Sequence, residues 1–179
     1  MDSCNWPYSV IYLFIMKNAK ETIVESITIR SSHGYKSLFA RQVFAPGDLI
    51  CELPCTAVHA KPSQHTVEIG EHRHIEIGGL AYMNHSCNPN VIIDTTGMQI
   101  KAFRQITPGD EMTFFYPSSE WEMVNPFICL CGSPNCIHVV AGAKFLPFSV
   151  LERYYINQHI RDRIMALLVN TDHYLMSGL

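Results

Sequence analysis

The chain lacks several things, and each absence narrows its reading. The apolar stretch near the start, Val10 to Met16, is seven residues long, against the ~20 that a bilayer-spanning helix requires. It is expected to be a buried strand, with no membrane association. Asp2 stands where a secretory signal would carry positive charge, and no small-residue cleavage site follows. An intracellular location, nucleus or cytoplasm, is therefore expected. A basic run is also missing: 13 Lys and Arg against 16 Asp and Glu leave a net charge of −3 and a pI near 6.3. Gripping nucleic acid through its phosphates needs the opposite balance, so neutral or basic partners are expected and nucleic acid is not. No Gly/Ser linker, low-complexity tract or internal repeat divides the 179 residues, close to one domain of ~150. Charged residues are only 16%, while hydrophobic residues reach 47%, enough for a core and too many for disorder. Seven cysteines are an odd number, and without a secretion signal a full disulfide framework is not expected.

What the chain does have is many short β-type pieces separated by turns. Thr22-Ile23-Val24 and Ile27-Thr28-Ile29 are β-branched, and Ser31-Ser32-His33-Gly34-Tyr35 reads as a turn. Leu38 to Val43 and Leu49 to Leu53 flank the turn Ala45-Pro46-Gly47-Asp48. Val91 to Ile93 and Gln99 to Phe103 read as a hairpin turned by Asp94-Thr95-Thr96-Gly97. Thr107-Pro108-Gly109-Asp110 is a further turn before a strand from Met112 to Tyr116. This pattern predicts a mainly β core. The last forty residues change character. Ser149 to Glu152 has the spacing of a capping box, and Val150, Leu151, Tyr154, Tyr155, Ile160, Ile164, Leu167 and Leu168 follow at helical spacing, with Asn157 as a break between two helices. A packing element or dimer contact is expected there, and a homo-oligomer through these helices stays open.

The segment Cys129-Leu-Cys131-Gly-Ser-Pro-Asn-Cys136 presents three thiols on one tight loop. Structural zinc takes four ligands in a tetrahedron and favours cysteine sulfur. Cys87, in the polar segment Asn84-His85-Ser86-Cys87-Asn88-Pro89-Asn90, is the natural fourth ligand; His138 competes with it. A closed site of this kind leaves no open position for water, so the ion would be structural and would staple two distant segments together.

Three strings in order, Asn84 to Asn90, then Gly109-Asp110-Glu111-Met112-Thr113-Phe114-Phe115-Tyr116, then Cys129-x-Cys131-x4-Cys136, closely resemble the SET domain with its post-SET motif. That family contains S-adenosylmethionine-dependent protein lysine methyltransferases. Upstream, Gly34-Tyr35-Lys36-Ser37-Leu38-Phe39-Ala40 resembles the family's first cofactor loop. The resemblance spans about residues 22 to 140. It implies a mainly β, β-clip-like fold of small curved sheets, with a knot-like crossing under the Asn-His loop and C-terminal helices added. The division implied is an N-terminal segment 1–21, a SET domain 22–127, a post-SET zinc segment 128–146 and a helical extension 147–179.

The resemblance also implies roles. S-adenosylmethionine would lie on Gly34, Tyr35, Lys36, Ser37, Asn84, His85 and Phe127. Tyr116 would be the active-site tyrosine. Phe114 and Tyr82 would line the substrate channel, and phenylalanine at position 114 implies room for more than one methyl. One structural zinc would sit on Cys87, Cys129, Cys131 and Cys136. Cofactor and peptide would enter from opposite faces through a narrow channel. Methyl transfer from a sulfonium to an amine is an in-line displacement, so orientation supplies much of the rate, and a channel of Phe114 and Tyr116 would favour loss of the amine's proton by desolvation.

Departures from the family pattern are Ser37 in place of a second loop glycine, Ala81 where many members carry arginine, and only about twenty residues between Leu53 and Ile75 for one wall of the peptide groove. Cys51 and Cys55 are expected as buried thiols, and His59, His65, His72 and His74 as solvated loop histidines. The function expected is transfer of several methyls to a protein lysine. A SET fold turned to a small molecule or to other chemistry, and a non-catalytic zinc-stapled interaction module, are the alternatives.

Overall fold

The computed structural model describes residues 25–54 and 57–176, with side chains described through residue 169. The expected strands at Val10 to Met16 and Thr22 to Val24, and Cys55, lie outside the described residues. Strands β1 (Ile27–Ser32) and β2 (Tyr35–Ala40) form an antiparallel hairpin turned by His33 and Gly34, both at positive φ (50° and 82°). That conformation suits the twist of a two-residue hairpin. Strand β3 (Leu49–Glu52) pairs with β9 (Gln99–Ala102), which pairs with β8 (Val91–Asp94). Alternation puts Val91, Ile93, Ile100 and Ala102 inward. A second three-stranded sheet sets β6 (Arg73–Glu76) between β4 (Val58–His59) and β5 (Thr66–Gly70).

Two very short pairs complete the β structure. β7 (Asn84–His85) runs parallel to β10 (Thr113–Phe114), and β11 (Phe127–Ile128) runs antiparallel to β12 (Val139–Val140). The β7–β10 pair is the crossing expected beneath the Asn-His loop. Asn90 extends it with its side chain: Oδ1 accepts the Thr113 N–H at 2.8 Å, and Nδ2 donates to the Glu111 carbonyl at 2.8 Å. The main core under these sheets includes Leu38, Ile75, Met83, Ile93, Ile100, Ile106 and Met112, each at most 1% exposed. The expected mainly β fold is what is observed.

The chain also contains a repeat that its composition hides. Ala40 to Asp48 and Ala102 to Asp110 share Ala, Pro, Gly and Asp at the same four positions. In both, the Asp carboxylate accepts a backbone N–H across the turn, from Ala45 at 2.7 Å and from Thr107 at 2.8 Å. Gly47 and Gly109 hold φ of 90° and 93°, values a side chain resists. The two copies face each other: Phe44 and Ile106 exchange backbone hydrogen bonds of 2.9 and 3.0 Å. Four shared positions in nine are too few to stand out without the fold.

The C-terminal region forms α1 (Phe148–Leu151) and α2 (Gln158–Met176). The expected capping box does not form. Pro147, whose φ of −66° is already helical, starts α1 with its carbonyl receiving the Val150 N–H at 2.9 Å, so Ser149 falls inside the helix. The break at Asn157 is present. Asn157 is fully buried; its Oδ1 accepts the Thr95 N–H at 2.9 Å, and its Nδ2 donates to the carbonyls of Ile93 (2.9 Å) and Ser118 (3.0 Å). Nearby, the Tyr154 ring stacks on Phe115 at 3.7 Å. The first part of the extension is thus a brace against the back of the β core, as the packing reading expected. Farther along α2, Met165, Leu168 and Val169 are exposed. Asn157→Ala leaves the buried Thr95 N–H and Ile93 carbonyl without this partner, while the Ser118 carbonyl keeps the backbone N–H of residue 157. The change is expected to cost roughly 2 kcal/mol in urea unfolding, and a loss under about 0.5 kcal/mol would show that the brace is dispensable.

Candidate active site and metal centre

The parallel crossing decides which side chains meet. In β7, Asn84 donates from Nδ2 to Ser37 Oγ and to Glu111 Oε1, both at 2.8 Å. Ser37 of β2 and the Asn84 loop are therefore joined directly, and among the described residues the Asn84 Oδ1 is left free to accept from a ligand. His85 accepts the Tyr116 backbone N–H on Nδ1 at 3.2 Å. Its proton then sits on Nε2, which faces Cys87 Sγ at 3.2 Å. Burial pushes the His85 pKa down to about 4, so the ring is neutral. The rings of Tyr116 and Phe127 lie 5.3 and 6.0 Å from it.

Tyr116 follows β10 and begins a 3-10 turn, Tyr116–Ser118. Its hydroxyl donates to the Met83 carbonyl at 3.0 Å. Burial, with Glu120 adding to it, raises its pKa to about 12 and keeps the phenol protonated. The Phe114 ring packs 4.7 Å from the Tyr116 ring. Both line a cleft of 260 Å³, whose other walls include Thr66, Leu80 and Ala81 on one side and Met123, Asn125 and Phe127 on the other. A larger groove of 490 Å³ beside the Cys136 loop is walled mainly by Pro134, Ile137, Phe145, Pro147 and Val150; its one charged side chain is Arg153. Tyr116, Phe114, Phe127 and Glu120 line the smaller cleft, whereas Asn84, His85 and Ser37 lie outside its wall.

The four thiols of Cys87, Cys129, Cys131 and Cys136 come together with all sulfurs within 4.8 Å of one another. Cys87 and Cys129 are buried, and the tight loop after Cys131 turns at Gly132 with φ of 69°. A tetrahedral ion with sulfur bonds of about 2.3 Å needs only a small contraction of this cage. Burial raises the thiol pKa of Cys129 to about 11 and pushes that of Cys87 up as well. At Cys131 burial acts in the same direction, but hydrogen bonds from the Ser133 and Cys87 backbone outweigh it and the pKa falls to about 7. Among the described residues this is the one cluster of three or more metal-ligating groups, and His138 is not part of it.

Other expected residues are placed elsewhere. Gly34 and Tyr35 occupy the tip of the β1–β2 hairpin, with Tyr35 79% exposed, roughly 10 and 7 Å along the strand from Ser37. Lys36 donates to the Tyr82 hydroxyl at 3.3 Å and lies 4.6 Å above its ring. Tyr82, expected in the channel, is absent from the cleft wall; its neighbours Ala81 and Met83 line it instead. Of the histidines expected in a solvated loop, His65 and His72 lie exposed in turns, whereas His59 and His74 belong to the sheet β4–β6–β5: His74 is 5% exposed, and His59 lies 3.7 Å from Glu76. β6 is the central strand of its sheet and is covered on both faces, so the adjacent His74 and Ile75 are both buried, which loop composition could not reveal. Cys51 is half-buried, and burial raises its pKa to about 12. Sequence reasoning missed Glu120 in the cleft wall. The one signal available was its distance of four residues from Tyr116, a single turn of helix.

Comparison with known proteins agrees with this geometry. The SET domain profile matches residues 36–117. Methyltransferase flvH of Aspergillus flavus is 38% identical over 138 residues, covering 75% of this chain and 78% of that protein. A histone-lysine N-methyltransferase of Candida albicans, H3 lysine-36 specific, is 39% identical over 67 residues, which are 34% of this chain and 8% of that protein. The crystal structure of KRYPTONITE in complex with mCHG DNA and SAH shares the fold at a TM-score of 0.51 and 22% identity, over 63% of this chain and 28% of that one. Thus the chain spans most of one relative and only a small part of the histone-lysine enzymes. A crossing that brings Asn84, His85 and Tyr116 together, set beside these matches, identifies the chain as a member of the SET-domain methyltransferase family.

Proposed function

We propose that the protein is an S-adenosylmethionine-dependent N-methyltransferase that places one or more methyls on the ε-amine of a protein lysine. The observation that carries this reading is the Tyr116 hydroxyl in the floor of a mainly apolar cleft, next to the Asn84-His85 loop. The cofactor, when bound, supplies the methyl group and its sulfonium leaving group. Asn84, Ser37, His85 and Phe127 would hold it, and Gly34, Tyr35 and Lys36 would reach it only from the hairpin.

Phe114 and Tyr116 exclude water from the amine, which favours its neutral, nucleophilic form. Because its pKa is held near 12, Tyr116 is no base at neutral pH. It orients the amine through its oxygen lone pairs while its own O–H stays donated to the Met83 carbonyl. Phe114 leaves space for an amine that already carries a methyl. Cys87, Cys129, Cys131 and Cys136 would bind one structural zinc, linking the Asn84 loop to the segment that carries Phe127. Thiols kept reduced for that purpose belong inside the cell, in nucleus or cytoplasm. A net charge of −3 suits a neutral or basic polypeptide better than nucleic acid.

A second reading, a small-molecule amine as acceptor, has one supporting observation: the relative matched over most of its length is of similar size to this chain, whereas the histone-lysine enzymes are many times longer. Transfer of labelled methyl to proteins of a cell lysate, against transfer to low-molecular-weight amines, decides between the two.

Two outcomes are expected. Tyr116→Phe lowers methyl transfer about 100-fold or more while the lost bond to the Met83 carbonyl lowers the melting temperature by only about 2–4 °C; unchanged transfer would remove the central residue of the reading. Purified protein carries about one zinc per chain. Because the Cys87 and Cys129 thiols must lose protons to ligate, zinc binding releases protons and weakens as pH falls. Calorimetry in two buffers of different ionisation enthalpy measures that release. Absence of zinc, or no change in melting temperature on chelation, would dismiss the staple.

A further inference from the structure

Glu120 is a carboxyl group in the cleft wall for which the chemistry above has no use. It stands four residues after Tyr116, and its backbone N–H donates to the Tyr116 carbonyl at 3.0 Å, so one tight turn delivers both side chains to the same cleft. Its Oε1 accepts the Glu68 backbone N–H at 3.2 Å. Among the described residues no cation and no other donor reaches this carboxyl group. Arg163 of α2 pairs with the neighbouring acid Glu68, 2.8 Å away, and the second Glu68 oxygen accepts the Trp121 N–H at 2.9 Å. The titratable groups that act on Glu120 are Tyr116 on its own segment and Glu68 of β5; His74 of β6 and Arg163 and His159 of α2 gather around Glu68. Burial, helped by the Glu68 charge, raises the Glu120 pKa from 4.5 to about 8. Such a group weakens the fold: an acid whose pKa is raised on folding loses stability for the protein as pH climbs from the unfolded value to the folded one.

We propose that Glu120 seats the substrate's ammonium group in the cleft and takes its proton. The acceptor is then a cationic amine recognised by charge as well as by shape, which deepens the methyltransferase reading and rests on it. In the step itself, an N–H bond of the ammonium breaks, its electron pair stays on nitrogen, and the proton forms an O–H bond at Oε2 of Glu120. An ammonium and a carboxylate become a neutral amine and a neutral acid, so two charges disappear from an apolar site, and the nitrogen lone pair is free beside Tyr116. Seating requires the anion and uptake requires a pKa near that of the desolvated amine; a raised carboxyl pKa meets both needs.

The cleft contains its own reporters, the methyl groups of Met83 and Met123. Zinc-loaded full-length protein with carbon-13 methionine methyls is titrated at about pH 8.5 with n-butylammonium and, separately, with n-butanol. Wild type is expected to shift both methyl signals with n-butylammonium. Glu120→Gln binds it at least 10-fold more weakly, Glu120→Asp lies between, and n-butanol does not distinguish the three. Equal n-butylammonium binding by wild type and Glu120→Gln, or none by wild type, overturns the proposal. Melting temperature is the control for folding: the wild-type value falls between about pH 5 and about pH 9, and Glu120→Gln is expected to flatten that fall without lowering stability at the upper end. Once a methyl acceptor is found, the acid limb of the wild-type kcat/KM profile near pH 8 is expected to vanish in Glu120→Gln. Retention of the wild-type rate and profile by that variant overturns the proposal and leaves the methyltransferase reading standing. Charge-selective binding lost in Glu120→Gln, in a protein that transfers no methyl to any amine, supports the seat and sinks the reading.

Discussion

Everything in the site depends on a parallel pairing two residues long, Asn84–His85 against Thr113–Phe114. Parallel strands cannot be joined by a tight turn, and so short a ladder has no stability of its own. It persists because its surroundings hold it. Asn90 supplies side-chain hydrogen bonds where the ladder would otherwise end, and Met83 and Met112, immediately before the two strands, are only 1% and 0% exposed in the main core. The crossing places the Asn84 amide, the His85 ring and the Tyr116 phenol around one point, although Tyr116 is more than thirty residues from Asn84 in sequence.

His85 then makes the crossing and the thiol cage interdependent. One ring nitrogen takes the backbone N–H of Tyr116, and the other faces the sulfur of Cys87. A ligand's outer partner fixes its orientation and tunes its electronics, so an ion on the four sulfurs and the tautomer of His85 would influence each other. On the far side of the same loop the Tyr154 hydroxyl donates to the Cys87 carbonyl at 2.9 Å. The helical extension therefore reaches the metal centre through backbone, and Phe115, between Tyr116 and Tyr154, carries the packing.

How much of this was legible in the sequence follows from how local its causes are. The four cysteines could be read because metal chemistry demands particular atoms, and the Pro-Gly-Asp turns and the Asp94–Gly97 hairpin because turn geometry does. The β character of the chain followed from its many short branched runs. Asn157 was legible only as a helix break: that its amide would be fully buried on three backbone groups depends on strands sixty residues away. The direction of Tyr82 was not legible, because the residues beside a motif share its address but not its orientation; in the 3-10 turn Gly78–Tyr82 its ring goes to Lys36. Glu120 lay in a stretch without pattern, and only the cleft gives it meaning.

The duplicated turns have a consequence of a different kind. Phe44 and Ile106 exchange hydrogen bonds as equivalent residues do across the axis of a homodimer, and Ala40 and Ala102 each bond the opposite copy's turn or its own sheet's counterpart in the same way: Ala40 with Gly109 and Asp110, Ala102 with Gly47 and Asp48. The centre of the domain is in effect an isologous interface folded within a single chain. Its halves are complementary to each other and hence to the same halves of another molecule. A chain caught half-folded would present an edge that a neighbour can complete, so the architecture carries a built-in route to exchange of segments between molecules, restrained only by the tether that keeps the proper partner close at hand.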